Sequence, residues 1–214
     1  LNTPVSLAFD SAGNLYTANL SSNNVTRYDK SGNLIGGVPF VSGIASGSLG
    51  VAFDKSGNLY VARGAGQNTI TRYDPSGNLI GGGPFAVGPE LDPYGLVFNL
   101  SGNLYSVNYG YNTITQYDSS GNKIGSNVVS TGLNKPQTLA FDTAGNFYVT
   151  NDNGISKYNS TGVFQFSWSV GASPRSVAFK PSSVPEPSTY ALGLIAAGTL
   201  AWVARRRRQR QNIV

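Results

Sequence analysis

Ala52-Phe53-Asp54-Lys55-Ser56-Gly57-Asn58-Leu59-Tyr60-Val61-Ala62, continued by Ile70-Thr71-Arg72-Tyr73-Asp74-Pro75-Ser76-Gly77-Asn78-Leu79, holds the fold in a single unit. Short β-prone runs flank Asp-x-Ser-Gly-Asn, a turn in which Asp bonds its own backbone and Gly takes a positive φ. That is a hairpin turn of three to five residues with Gly at the left-handed position, and it occurs twice in the unit. Each unit therefore reads as four short antiparallel strands. In the first unit these are Leu7-Ala8-Phe9, Asn14 to Ala18, Val25 to Tyr28, and a fourth that starts at Leu34-Ile35.

The unit recurs along the chain. The first-strand phrase appears at Ala8-Phe9-Asp10, Ala52-Phe53-Asp54, Val97-Phe98-Asn99, Ala140-Phe141-Asp142 and Ala178-Phe179-Lys180, so the phenylalanines are 44, 45, 43 and 38 residues apart. Gly-Asn-Leu/Phe-Tyr comes after the first four, at 13–16, 57–60, 102–105 and 145–148. The third-strand phrase closes them at Val25–Asp29, Ile70–Asp74, Ile114–Asp118 and Ile155–Asn159. Four-stranded units of this length predict an all-β propeller of four-stranded antiparallel blades. Four repeats are full, and a lone fifth inner strand falls at 174–180.

Composition agrees. Gly, Asn, Ser and Tyr dominate, and charge is sparse. The absence of cysteine removes disulfides and thiolate metal sites, and the absence of histidine removes the commonest general base and metal ligand. The net charge of +5 belongs to the C-terminus: residues 1–185 hold ten basic and nine acidic residues. The body thus has no overall basic footprint, and no nucleic-acid partner is expected.

The segments Pro4–Asp10, Leu59-Tyr60-Val61-Ala62 and Asn68–Asp74 resemble the NHL-like propeller family over roughly residues 1–180. The resemblance implies that the first strand of each blade lines the channel. It places Val5, Leu49, Tyr94, Gln137 and Arg175 on one face, beside loops starting at Asn19, Arg63, Asn108 and Asn151. The ligand face expected there comprises Arg63, Tyr94, Asn108, Tyr109, Tyr111, Asn151, Asp152 and Arg175. Tyrosines and amides suit carbohydrate or peptide contact, because they offer apolar faces with hydrogen-bonding edges; the bland alternative is ordinary loop residues. Some relatives are metal-dependent lactonases or lyases with carboxylate and amide ligands in the channel. Here the glutamates are only Glu90 and Glu186, and most aspartates lie in turns. No catalytic residue and no metal ligand is assigned. Calcium is the one ion the Asp turns raise, but each turn offers one carboxylate where calcium wants six to eight oxygens.

The C-terminus has a different chemistry. Pro185-Glu186-Pro187 precedes an uncharged run, Ser188 to Ala204, and then Arg205, Arg206, Arg207, Arg208 and Arg210. As a helix the run spans about 25 Å, slightly short of a ~30 Å hydrocarbon core. Tyr190 and Trp202 stand near its ends as interfacial anchors, and the arginines form a cytoplasmic stop. This order resembles the PEP-CTERM sorting signal. The resemblance implies processing near Pro185-Glu186-Pro187 by an exosortase-type enzyme, a Gram-negative exopolysaccharide-producing source, and an N-terminal secretion signal. The protein would be tethered in the inner membrane before processing and would then reach the cell surface or extracellular matrix.

The expected organisation is a propeller over 1–181, a linker with the sorting motif at 182–187, a transmembrane helix at 188–204 and an Arg-rich cytoplasmic tail at 205–214. The chain begins at Leu1 and has no methionine, so upstream sequence holding a signal peptide and the rest of the fifth blade is expected; the alternative is a four-bladed ring with a surplus strand. The function expected is binding or structural, towards a polysaccharide or another surface protein, with an exported metal-dependent lactonase or lyase as the runner-up.

Overall fold

A computed structural model describes residues 3–44, 48–64, 66–170 and 173–178. The chain divides into Leu1–Phe179 and Lys180–Val214. The expected linker, transmembrane helix and Arg-rich tail lie outside the described residues, among which no helix is long and apolar enough to cross a membrane.

The body is four antiparallel sheets in chain order. The first is β1 (Pro4–Phe9), β2 (Leu15–Asn19) and β3 (Asn24–Tyr28); the second is β4 (Ser48–Phe53), β5 (Leu59–Arg63), β6 (Thr69–Tyr73) and β7 (Ala86–Val87). The third is β8 (Pro93–Phe98), β9 (Leu104–Asn108) and β10 (Thr113–Tyr117); the fourth is β11 (Thr138–Phe141), β12 (Phe147–Asn151), β13 (Gly154–Tyr158) and β14 (Phe164–Trp168). Inner strands of consecutive sheets pack side by side, β1 on β4, β4 on β8 and β8 on β11.

Two expectations are corrected. The fourth strand is continuous only in the last sheet. In the first and third sheets it shrinks to isolated bridges, Tyr28–Leu34 with Val25–Val41 and Tyr117–Lys123 with Ile114–Val129. Gly36, Gly37 and Gly125 take positive φ in those segments, and Pro39 has no N–H to donate, so the outer ladder breaks. The fifth inner strand is also absent among the described residues: 173–178 have no regular structure. A strand exists through its neighbour's hydrogen bonds, and among the described residues no strand pairs with this segment.

The turns form as their chemistry dictates. Asp10 accepts the Asn14 backbone N–H at 2.8 Å on one carboxylate oxygen and the Asn14 side-chain amide at 2.8 Å on the other. Gly13 sits at φ 82°. The same pair of bonds recurs at Asp29–Asn33, Asp54–Asn58, Asp74–Asn78, Asp118–Asn122 and Asp142–Asn146. The Asn33 side-chain and backbone donors hold Asp29 below the ordinary carboxyl value of 3.8, and Asn78 and Asn122 do the same for Asp74 and Asp118. These carboxylates are committed to their own turns.

Three of these turns, at Asp10, Asp54 and Asp142, also hold a tyrosine hydroxyl. Tyr16 Oη donates to Asp10 at 3.4 Å, and Tyr60 Oη to Asp54 at 3.3 Å. The Tyr16 ring meets Phe53 of the next sheet edge-on at 4.7 Å and Phe40 at 5.0 Å. Tyr60 repeats this with Phe98 at 5.0 Å and Phe85 at 4.9 Å, and Tyr105 meets Phe141 at 4.9 Å. The Arg27 guanidinium lies 5.1 Å from the Phe40 centroid, and that of Arg72 5.4 Å from Phe85. An aromatic pair adds about 0.5–1.5 kcal/mol beyond the area it buries. The core is accordingly three clusters, each between two consecutive sheets.

At the inner strands the sheets approach too closely for side chains. A Cβ on Gly50 would strike the Tyr94 carbonyl, and one on Gly95 would lie 2.6 Å from the Gln137 carbonyl oxygen and 2.9 Å from Thr138 Cα. Gly95→Val should therefore cost about 1–3 kcal/mol, seen as a lowered Tm. Gly83→Ala, whose Cβ meets nothing within 4 Å, should leave Tm unchanged.

Candidate functional site

One end of the sheets carries the loops before the inner strands and after the second strands, and a repeated backbone bond ties them together. The N–H of the residue after the second strand donates to the carbonyl of a residue before the first: Leu20 to Thr3, Tyr109 to Asp92 and Asp152 to Asn134, at 3.0, 3.0 and 2.8 Å. In the third sheet the Asp92 carboxylate also accepts the Gly110 N–H at 3.0 Å. Held this way, Tyr109 stacks on Tyr94 of β8, with centroids 4.3 Å apart and planes at 19°.

Burial pushes the Tyr94 phenol up, and the charges of Asp92 and Tyr109 add to the rise; the Arg175 guanidinium lies close enough to oppose it. The structure thus brings together Tyr94, Tyr109 and Arg175 from the expected ligand face. Tyr111, in the same loop as Tyr109, is 45% exposed.

The other expected residues are placed differently. Asn108 and Asn151 are fully buried. The Asn108 amide donates to Thr113 Oγ1 at 3.0 Å and Thr115 Oγ1 at 2.9 Å, and its carbonyl accepts from Ser106 Oγ at 2.9 Å. Asn151 donates to Ser156 Oγ at 3.1 Å and accepts the Asn153 N–H at 3.0 Å. Asn19 does the same in the first sheet, donating to Asn24 and Thr26. These amides lock the hairpin between second and third strands and present nothing to a ligand. Arg63 replaces the Asn in the second sheet, and its guanidinium donates to Gln67 Oε1 at 3.4 Å. Asp152 turns towards Lys135, 4.0 Å away.

Asp92 was missed by sequence reasoning. Its signal was the repeat itself, since it stands directly before the proline that opens the inner-strand phrase, as Thr3 and Lys135 do. No three His, Cys, Asp or Glu side chains converge among the described residues. The geometry offers a flat aromatic platform whose loop is held by the Asp92 carboxylate, with the Arg175 charge near enough to act on Tyr94, suited to stacking and hydrogen bonding.

At the other end of the chain, the residues around Pro185-Glu186-Pro187 match a family model. The chain carries a PEP-CTERM protein-sorting motif over residues 183–208. A PEP-CTERM motif implies an exported protein, anchored in a membrane and then sorted to the surface by an exosortase-type enzyme. No curated protein matches the chain by sequence.

Among solved structures, virginiamycin B lyase from Staphylococcus aureus matches with a TM-score of 0.64 at 14% identity, over 79% of this chain and 57% of that one. A chain of the nidogen/laminin complex matches with a TM-score of 0.65 at 18% identity, over 74% and 61%. Hydrazine synthase of Kuenenia stuttgartiensis matches with a TM-score of 0.63 at 19% identity, over 77% and 48%. At such identities the likeness is one of fold, and these neighbours make the body of this PEP-CTERM chain propeller-like. The chain spans about half to three-fifths of their lengths.

Asn108→Ala leaves buried hydroxyls without their partner and should cost about 1–3 kcal/mol. Tyr111→Ala, at an exposed loop position, should stay within about 0.5 kcal/mol of the parent. Chemical denaturation of both variants checks the contrast.

Proposed function

We propose that this protein is a non-enzymatic binding propeller of the cell surface or extracellular matrix, which holds a polysaccharide on the Tyr94–Tyr109 platform. The stacked pair carries the reading. Two phenol rings held face to face by the Asp92 bonds offer a rigid apolar surface with hydroxyl edges, which matches the apolar face and hydroxyl rim of a sugar ring. Arg175 and the exposed Tyr111 extend that surface with a cation and a third phenol. The PEP-CTERM motif supports the location, because export puts the platform where exopolysaccharide is. After export, the apolar run 188–204 would hold the chain in the inner membrane with Arg205–Arg208 and Arg210 on the cytoplasmic side, until the exosortase-type enzyme cuts near Pro185-Glu186-Pro187.

Affinity electrophoresis of the chain in gels containing the source organism's exopolysaccharide tests the reading, with and without calcium. Retardation is expected in both, and Tyr94→Ala and Tyr109→Ala should each weaken it by about tenfold, the equivalent of ~1.4 kcal/mol. Unretarded migration of the parent chain, together with metal-dependent turnover of lactones, would overturn it.

Ending the chain before Ser183 removes the motif. The shortened protein should appear in the medium with an unchanged circular dichroism spectrum; its retention in the inner membrane fraction would contradict the sorting role.

A further inference from the structure

An amide locks the hairpin between second and third strands wherever the second strand ends in asparagine. Asn108 donates to Thr113 and Thr115 of β10, Asn19 to Asn24 and Thr26 of β3, and Asn151 to Ser156 of β13. The second sheet keeps one half of this lock and not the other. Thr69-Ile70-Thr71 copies Thr113-Ile114-Thr115. Arg63 faces Thr69 in the ladder as Asn108 faces Thr113. Where the amide would stand there is a guanidinium.

The exchange leaves polar atoms unsatisfied. Among the described residues, Thr69 Oγ1 and Arg63 Nε are buried without a hydrogen-bond partner, and Thr71 Oγ1 reaches the Val61 carbonyl only at 3.5 Å. A buried polar atom without a partner loses its hydration for nothing in return. Arg27 and Arg72 also have an unpaired buried Nε, but their guanidinium groups lie over Phe40 and Phe85. Among the described residues no such ring contact involves Arg63.

The tip of Arg63 is equally uncommitted. Its one side-chain bond goes to Gln67 Oε1 at 3.4 Å, long and exposed. Among the described residues no carboxylate lies within 4.0 Å of it. A guanidinium is charged at every working pH, and its planar fork matches a carboxylate with two parallel hydrogen bonds. A repeat that breaks its own rule at one position, at a cost in hydrogen bonds, marks that position as one shaped for binding.

The place fits the platform. Arg63 ends β5 at the loop end, and β4, its ladder neighbour, packs on β8, where Gly50 abuts the Tyr94 carbonyl. Tyr109 directly follows Asn108, the counterpart of Arg63, so guanidinium and platform stand at the same level of neighbouring sheets.

We propose that Arg63 binds the carboxylate of an acidic polysaccharide, a uronic acid unit of the chain whose neighbouring sugar stacks on Tyr94 and Tyr109. This rests on the platform reading above and narrows its ligand from polysaccharide to polyuronate-containing polysaccharide. The unsatisfied lock is the cost in stability of placing a charge there. Restoring the lock and keeping the function are therefore opposed, which separates a binding arginine from a structural one.

The test runs the full chain in affinity gels containing the source organism's exopolysaccharide, either native or with its carboxyls reduced to alcohols. The native polymer should bind the parent chain about tenfold more tightly than the reduced one, as expected for a charge-assisted bond. Arg63→Asn should bind both alike, at the level of the reduced polymer, while its Tm rises by about 2–4 °C as the amide satisfies Thr69 and Thr71. Tyr109→Ala should weaken both polymers together. Lys123→Gln, which removes an exposed cation at the turn end, should keep the tenfold preference. Equal binding of the two polymers by the parent chain would overturn the role of Arg63 and leave the platform standing. Binding of neither would remove the platform and this inference with it. A lowered Tm in Arg63→Asn would make the guanidinium a structural group, and loss of the preference in Lys123→Gln would make it a matter of net charge; either result overturns the proposal.

Discussion

The body depends on one contact, a tyrosine ring at the end of a hairpin turn that receives a phenylalanine from the next sheet. Single sheets of three or four short strands are marginal on their own, because each leaves two apolar faces in water. Tyr16 with Phe53, Tyr60 with Phe98 and Tyr105 with Phe141 convert a string of such sheets into one body. At Tyr16 and Tyr60 the turn carboxylate fixes the ring from behind, so the Asp-x-x-Gly-Asn sequence there serves the joint as much as the turn. Asp10 accepts from Asn14 twice and from the Tyr16 hydroxyl, which engages both of its oxygens. A residue pattern that suggests calcium is thereby spent on packing.

The same economy separates structure from recognition at the loop end. The buried amides of Asn19, Asn108 and Asn151 satisfy the hydroxyls of their own hairpins, which removes from the surface the groups that sequence alone marks as the most polar. What remains outside is aromatic. Tyr94 opens β8 and Tyr109 begins the loop after β9, and they meet because Asp92, just ahead of β8, holds that loop with a backbone and a side-chain bond. The platform is a local departure from the repeat: Val5 stands where the first sheet would need its tyrosine, and Gln137 where the fourth would.

Much of this was legible in the sequence, and the boundary of legibility has physical causes. The period, the turns and the first three strands of each unit are local events, governed by Gly φ, Asp side-chain bonding and strand propensity, and they arise from residues within a few positions of each other. The outer strand was not legible at Leu34-Ile35, because Gly36-Gly37 and Pro39 break a ladder that hydrophobicity alone would continue. The burial of Asn108 was not legible either. An Asn at a strand end reads as a loop amide until Thr113 and Thr115 of the adjacent strand are placed against it. Arg175 was legible as a position, by its step before Phe179, yet not through the strand it was expected to open.

The three joints are not equal, and the inequality shows how a repeat array distributes its stability. In such arrays the total is close to a sum of nearest-neighbour terms. The first two joints add a cation over the aromatic pair, Arg27 and Arg72, and a phenylalanine from the outer segment, Phe40 and Phe85. The third has Gln116 and Val128 at these places, losing both the cation and a ring. The fourth sheet answers from its own side with Phe147 in place of leucine, stacked on Tyr158 at 5.4 Å and packed against Phe141 at 5.7 Å. Tyr158 is 1% exposed, and burial pushes its phenol up to about 12. The ring that the third sheet does not supply is thus supplied by the fourth. The joint stays closed because its volume is filled, whichever side provides the atoms.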